Sequence, residues 1–201
     1  MHHFKKFIPF TRTQKDAPGF TLIETMVAIT LLSVAIVAPM SLTAQSLATA
    51  YYARDQITAF YLAQEAIEAV RSLRDSQILQ IAKSSSGSSI NLFGPIPLNN
   101  QPFTIDARQT DPGAAITTCA DGPAPLYGCP PLQTDGTLYG YNTGWTNTNF
   151  TRIVDAALVP GTQDEIQISV TVTWQTGAFQ RRSFTISSDL YRWVADGSST
   201  S

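Results

Sequence analysis

Histidine is almost missing from this chain: two occur, His2 and His3, both at the extreme N-terminus. Cysteine is as scarce, with Cys119 and Cys129 alone in 201 residues, and past residue 19 a single lysine remains, Lys83. No G-x-S-x-G, no phosphate-cradling glycine loop, no C-x-x-C and no Cys/His ligand spacing is present. Nucleophilic and acid–base chemistry therefore lack most of their usual groups, and zinc lacks a ligand set. An enzyme is not expected, nor a cofactor or a metal. Acidic pairs remain as the alternative, but Asp164–Glu165 adjoins Gly161 and reads as a solvated turn. Asp111–Pro112, Asp121–Gly122 and Asp135–Gly136 read as turn chemistry, with calcium ligation the alternative.

Charge is scarce in one long window. From Thr25 to Ala53 no side chain carries a formal charge, enough for a helix to cross a hydrocarbon core of roughly 30 Å. Basic residues gather just before it. The segment Met1 to Gly19 holds Lys5, Lys6, Arg12 and Lys15 against Asp16, which is four of the 13 basic and one of the 15 acidic residues, and leaves the remainder at −5. Such a body has no general electrostatic attraction to phosphate backbones, though a local nucleic-acid patch stays open. The basic flank predicts a cytoplasmic N-terminus, with the C-terminal body on the far side of the membrane.

What is present falls into zones. Residues 1–19 form a leader without helical periodicity. A helix is predicted over 20–82, apolar on all sides at first, with 20–42 in the membrane or in the core of an assembly, and amphipathic later. Ile57, Phe60, Ala63, Ile67, Val70 and Leu73 recur there at helical spacing. Sixty-odd residues at 1.5 Å each make a rod of about 90 Å, so its outer part must find something to pack against. Pro39 interrupts it, withholding a hydrogen bond from Ala35, and a kink is expected. Ser84–Ser89 reads as a flexible joint.

A β-rich domain occupies 83–201. Ile166, Ile168, Val170, Val172 and Trp174 alternate with polar residues, Gln175–Thr176–Gly177 turns the chain, and Phe184, Ile186 and Leu190 continue in a partner strand. Phe103, Ile105 and Ala107 predict a shorter strand. Phe150 to Leu158 predicts another, with its alternation broken at Ile153–Val154 as at a bulge. Pro112 to Trp145 reads as a long loop pinned by a Cys119–Cys129 disulfide, as suits an exported domain. Trp174 and Phe184 are expected in the core against the helix, and Tyr139, Tyr141 and Trp145 in local packing. Gly197–Ser201 reads as a frayed tail.

GFTLIE at Gly19–Glu24, followed by the uncharged run, resembles the cleavage and methylation signature of type IV pilins and type II secretion pseudopilins. LAQEAIEAVRSLRD, from Leu62, and the closing LYRW, Leu190–Trp193, are similar to segments of minor pilins. The family's usual helix proline would stand two residues later, at Ser41. The resemblance implies an α+β fold, a long N-terminal helix against a small antiparallel sheet. It implies that a prepilin peptidase cuts between Gly19 and Phe20 and methylates the new amine, giving N-methylphenylalanine at Phe20. It assigns Glu24 to assembly, paired with the Phe20 amine of a neighbouring pilin or pseudopilin subunit. The partners implied are those subunits, the peptidase, membrane lipid and an inner-membrane platform with a separate ATPase motor. The location implied is the inner membrane, then a periplasmic or extracellular filament.

Physical chemistry supports that assignment. Cleavage creates an amine beside the apolar segment, Glu24 lies one helical turn along, and either charge is costly in hydrocarbon unless neutralised. Competing readings are a major pilin, an uncleaved signal anchor, and a secretory signal cut at Ala48–Thr49–Ala50. The last needs an apolar run of 7–15 residues, shorter than this one, and neither signal reading accounts for Gly19, Phe20 and Glu24 together.

Overall fold

The computed structural model describes residues 19–83, 91–98, 101–120, 122, 126–177 and 180–193. The leader up to Pro18, the Ser84–Ser89 segment, Asp121 and the Gly197–Ser201 tail lie outside the described residues. Helix α1 spans Leu22–Lys83, and the chain divides into two compact units, one ending at Ala48 and one beginning at Thr49.

In the first unit, Thr21 starts the helix: its Oγ1 accepts the Glu24 N–H at 3.3 Å and its carbonyl accepts the Thr25 N–H, satisfying donors that the first turn cannot satisfy itself. The hydroxyls within the apolar run turn back onto their own helix. Thr25 donates to the Leu22 carbonyl, Thr30 to Val27, Ser33 to Ile29 and Thr43 to Pro39, each at 2.8 Å. A polar side chain that bonds its own backbone no longer needs water. Helical structure continues on both sides of Pro39. Every described side chain from Leu22 to Leu47 is exposed, and the helix is long and apolar enough to cross a membrane.

The second unit is an α+β layer pair. Its sheet is wholly antiparallel, ordered β2-β1-β6-β7-β8, with β1 at Phe103–Ile105, β2 at Ile116–Thr118, β6 at Phe150–Leu158, β7 at Glu165–Trp174 and β8 at Arg182–Tyr191. Ala59, Leu62, Ala63, Ala66, Ile67, Val70 and Leu73 of α1 are buried in one core with Ile166, Ile168, Val170, Val172 and Trp174 of β7 and Phe150, Val154 and Ala156 of β6. Three alanines in that stripe let the helix backbone approach the sheet closely. Leu92, Phe93 and Ile96 join the same core.

Several expectations are corrected. Ile57 and Phe60 are exposed, at 57% and 39%, because the buried stripe runs through Ala59, Leu62, Ala63 and Ala66 and leaves them on its flank. No bulge interrupts β6 against β7, since their register runs unbroken from Phe150↔Trp174 to Leu158↔Ile166. The alternation fails for another reason: β6 is an interior strand buried on both faces, with Thr151 and Ile153 shielded as fully as their neighbours. Ala107 lies beyond the end of β1. Finally, Pro112 to Trp145 is more than a loop. It contains the short helix α2 (Pro112–Ala115), β2, β3 (Gln133–Thr134) and β4 (Tyr139–Gly140), and the last two build a second sheet with β5 (Thr146–Asn147), ordered β4-β3-β5. Strands of two residues have no period to read, so composition alone concealed them.

Turn chemistry holds these pieces. Asp111 caps α2 by accepting the Ala114 N–H. Asp135 Oδ1 accepts the Thr137 and Leu138 N–H groups, both at 2.8 Å, and Gly136 takes φ 99° between β3 and β4, a conformation open to glycine at no steric cost.

Candidate functional site: the helix entry and its supporting domain

Gly19, Phe20 and Thr21 precede the helix, and the Phe20 ring is 82% exposed. A Cβ placed on Gly19 would meet nothing within 4 Å, and its φ lies outside the left-handed region. Folding therefore imposes no demand for glycine at this position. Glu24 stands in the first turn, exposed, where the positive end of the helix dipole favours an anion. Its carboxylate has no partner among the described residues. From Thr25 the helix continues uncharged through Ala53 with apolar side chains such as Ile29, Leu32, Ile36 and Met40 fully open. The unit thus offers one acid at the head of an apolar surface that no described residue of the same unit covers.

The disulfide links Cys119 and Cys129 with Cα atoms 4.7 Å apart. Cys119 donates its N–H to the Pro102 carbonyl at 2.9 Å, anchoring the loop beside β1. Gly128 has φ 72°, and a Cβ there would collide with the Ala120 carbonyl oxygen; one on Gly122 would collide with the Gly128 backbone. The loop is doubled tightly on itself at two glycines.

Two buried charge clusters went unread in the sequence. Arg152, on β6, is wholly buried, and its Nη1 donates to Glu65 Oε2 at 2.6 Å and to the Leu62 carbonyl at 3.0 Å, while Nη2 donates to the Ile105 carbonyl. A single guanidinium thus ties α1, β6 and β1. Asp106, 4% exposed, accepts Arg108 Nε and Nη2, the Arg108 N–H and the Tyr141 N–H. Burial works against its charge, but the guanidinium and the two backbone donors hold its carboxyl below the usual range. Arg108 in turn lies over the Trp145 ring, 4.3 Å from its centroid, and Tyr139 meets Phe150 edge-on. The aromatics of this region pack locally, and Trp174 is buried in the core with Phe184 packed against it. A signal for Arg152 did exist: Glu65 falls between Leu62 and Ala66 on the helix face that must be buried, so it calls for a cation.

Residues 15–38 match the family model described as the prokaryotic N-terminal methylation motif. No curated protein matches the chain, and no solved structure does. The matched segment is the signature of type IV pilins and pseudopilins, and the α+β layout, with its long apolar N-terminal helix, is pilin-like.

Proposed function

We propose that this chain is a structural subunit, a minor pilin or pseudopilin, of a type IV pilus-like filament. The chain carries the pilin-type methylation motif; the finer reading rests on how that motif and the helix agree. One observation carries it: Glu24, an acid without a partner among the described residues, heads a helix whose described apolar side chains are exposed over more than twenty residues. Such a surface requires lipid before assembly and other helices after it. A prepilin peptidase cuts between Gly19 and Phe20, where an unneeded side chain is absent, and methylates the Phe20 amine. That amine is the cation that Glu24 lacks, and a neighbouring subunit presents it. The domain from residue 83 onward lies outside the membrane and decorates the filament, its loop held by the Cys119–Cys129 disulfide. The chain works by assembling, not by catalysis, and a separate ATPase on an inner-membrane platform drives extraction.

Mass spectrometry of the native product tests this directly. N-methylated Phe20 at the amino terminus is expected, whereas an intact leader, or a start at Tyr51 as ordinary signal cleavage would give, overturns it. Copy number relative to other subunits in purified filaments tests the minor role, which an abundant chain would refute.

A further inference from the structure

The sheet face turned away from α1 holds a cavity of about 520 Å³. Its floor is one row across the strands. Cys119 bonds Pro102, the Phe103↔Val154 register sets Pro102 beside Asp155, and Asp155 pairs with Ser169. Gln101 and Tyr127 add an amide and a phenol to the lining, and Gly122 of the disulfide loop joins them there. Tyr127 takes φ 49°, in the left-handed region, although it is not a glycine, and the loop that carries it is braced by the disulfide and the close glycine contacts. The described residues Gly122, Tyr127 and Gly128 thus stand close against one another and against Ala120.

Asp155 is the anomaly in this lining. It sits in the middle of an interior strand, half-buried, and its carboxylate makes no hydrogen bond or ion pair with any described residue. Its cross-strand neighbour Ser169 bonds Ser187 instead, at 2.8 Å. Other shielded acids of the domain are satisfied: Asp106 by Arg108 and backbone donors, Asp55 by Thr176. Tyr127 is the other titratable group among the residues lining the cavity, so nothing there offsets the charge. A carboxylate partly shielded from water, with no partner of its own, favours an arriving counter-charge over bulk solvent.

We propose that this cavity binds a small organic cation, an ammonium or guanidinium on a short stem, with Asp155 as its counter-charge and Gln101 and Tyr127 as its neutral walls. Burial raises the Asp155 pKa in the empty site; an adjacent cation pulls it back down. The same chemistry is offered by a free amine and by a basic side chain within a peptide. This proposal stands apart from the filament reading, and either can fail without the other.

The test uses the full chain in detergent micelles. Agmatine represents the free cation, and Nα-acetyl-arginine methylamide the side chain; binding is followed by calorimetry and by backbone amide shifts. Saturable binding of at least one probe is expected, with shifts at Gln101, Cys119 and Asp155, and whichever probe binds more tightly identifies the source. Asp155→Asn removes a charge that burial already opposes, so the variant folds, and it weakens binding by about tenfold or more. A second measurement on the unaltered chain reads the Asp155 carboxyl carbon against pH, whose midpoint falls when the probe is present. Absence of saturable binding by both probes, unchanged affinity in Asp155→Asn, or an unmoved midpoint overturns the proposal.

Discussion

Arg152 and Glu65 meet at 2.6 Å across the interface between the central strand β6 and helix α1, the arginine with no exposed surface and the glutamate still 38% open. The pair is unequal, and so are its two halves as targets. Removing Arg152 takes a donor from the Leu62 and Ile105 carbonyls and opens a void in the core. Removing the charge of Glu65 leaves the guanidinium with two carbonyl partners, and solvent reaches the vacated position. Arg152→Ala should therefore lower unfolding free energy by about 3–5 kcal/mol. Glu65→Gln should cost about 1 kcal/mol, because partial exposure screens the ion pair. Urea titrations of the two variants in one detergent compare them, and equal losses would remove the distinction drawn here.

Acid should loosen the small sheet before it melts the large one. Asp106 is held below the usual carboxylate range in the folded state, while in the unfolded chain it titrates near about 3.9. A lowered folded pKa contributes stability that is complete above the unfolded value. The contribution is lost as pH falls through the folded one. The expected sign is thus a decline below about pH 4. Trp145, stacked beneath Arg108, reports the event through its fluorescence. Asp106→Asn should abolish that pH dependence and cost about 2–3 kcal/mol at neutral pH, since its hydrogen bonds are charge-assisted. A wild-type Trp145 signal flat from pH 6 to pH 3 would contradict this.

The doubled disulfide loop should tolerate little at Gly128. Its φ of 72° strains any L side chain, and a Cβ would strike the Ala120 carbonyl. Gly128→Ala is expected to destabilise by about 1–3 kcal/mol, whereas Gly136→Ala, with open space around its Cβ, should lose only the cost of its backbone conformation, about 1 kcal/mol. Thermal unfolding of the two variants checks the order. Reducing the bridge, which closes a loop with a sequence separation of 10, should cost about 2–3 kcal/mol.

These contacts mark where sequence reading stops. The helix was legible because Thr25–Ala53 lacks charge and because Ala63, Ile67, Val70 and Leu73 keep helical spacing. The β7–β8 hairpin was legible because Ile166 to Trp174 alternates without a break. Both signals come from one side chain facing one environment over many residues. Illegible parts violate that condition. In β6 both faces are buried, so the phase vanished and a bulge was inferred. Strands β3, β4 and β5 hold two residues each, too few for a phase at all. Ile57 and Phe60 continue the apolar spacing, yet they lie on the flank of α1 beside the stripe of Ala59, Leu62, Ala63 and Ala66 that the sheet covers. Arg152 hid because its partners lie 87 and 47 residues away in sequence. At the helix entry the position was reversed. Gly19, Phe20 and Glu24 were conspicuous in the sequence because the fold gives them nothing to do.

That last contrast sets the decisive test of assembly. Glu24→Val removes the one acid at the head of the apolar helix while leaving Gly19, Phe20 and the Thr21 cap in place. Among the described residues of the monomer this carboxylate has no partner to lose, so the substitution should leave folding, membrane insertion and removal of the leader unchanged. In a filament the outcome differs, because the Phe20 amine of the adjoining subunit would then be buried without a counter-charge. Breaking a buried pair typically costs about 3–5 kcal/mol, roughly two to four decades in the equilibrium for joining the assembly. Immunoblots of sheared filaments against membrane fractions should show normal processed protein in the membrane and almost none in filaments. Glu24→Asp, which keeps the charge on a shorter arm, should restore part of the incorporation. Undiminished incorporation of Glu24→Val would mean that the apolar helix surface alone drives assembly, and that the carboxylate has no part in it.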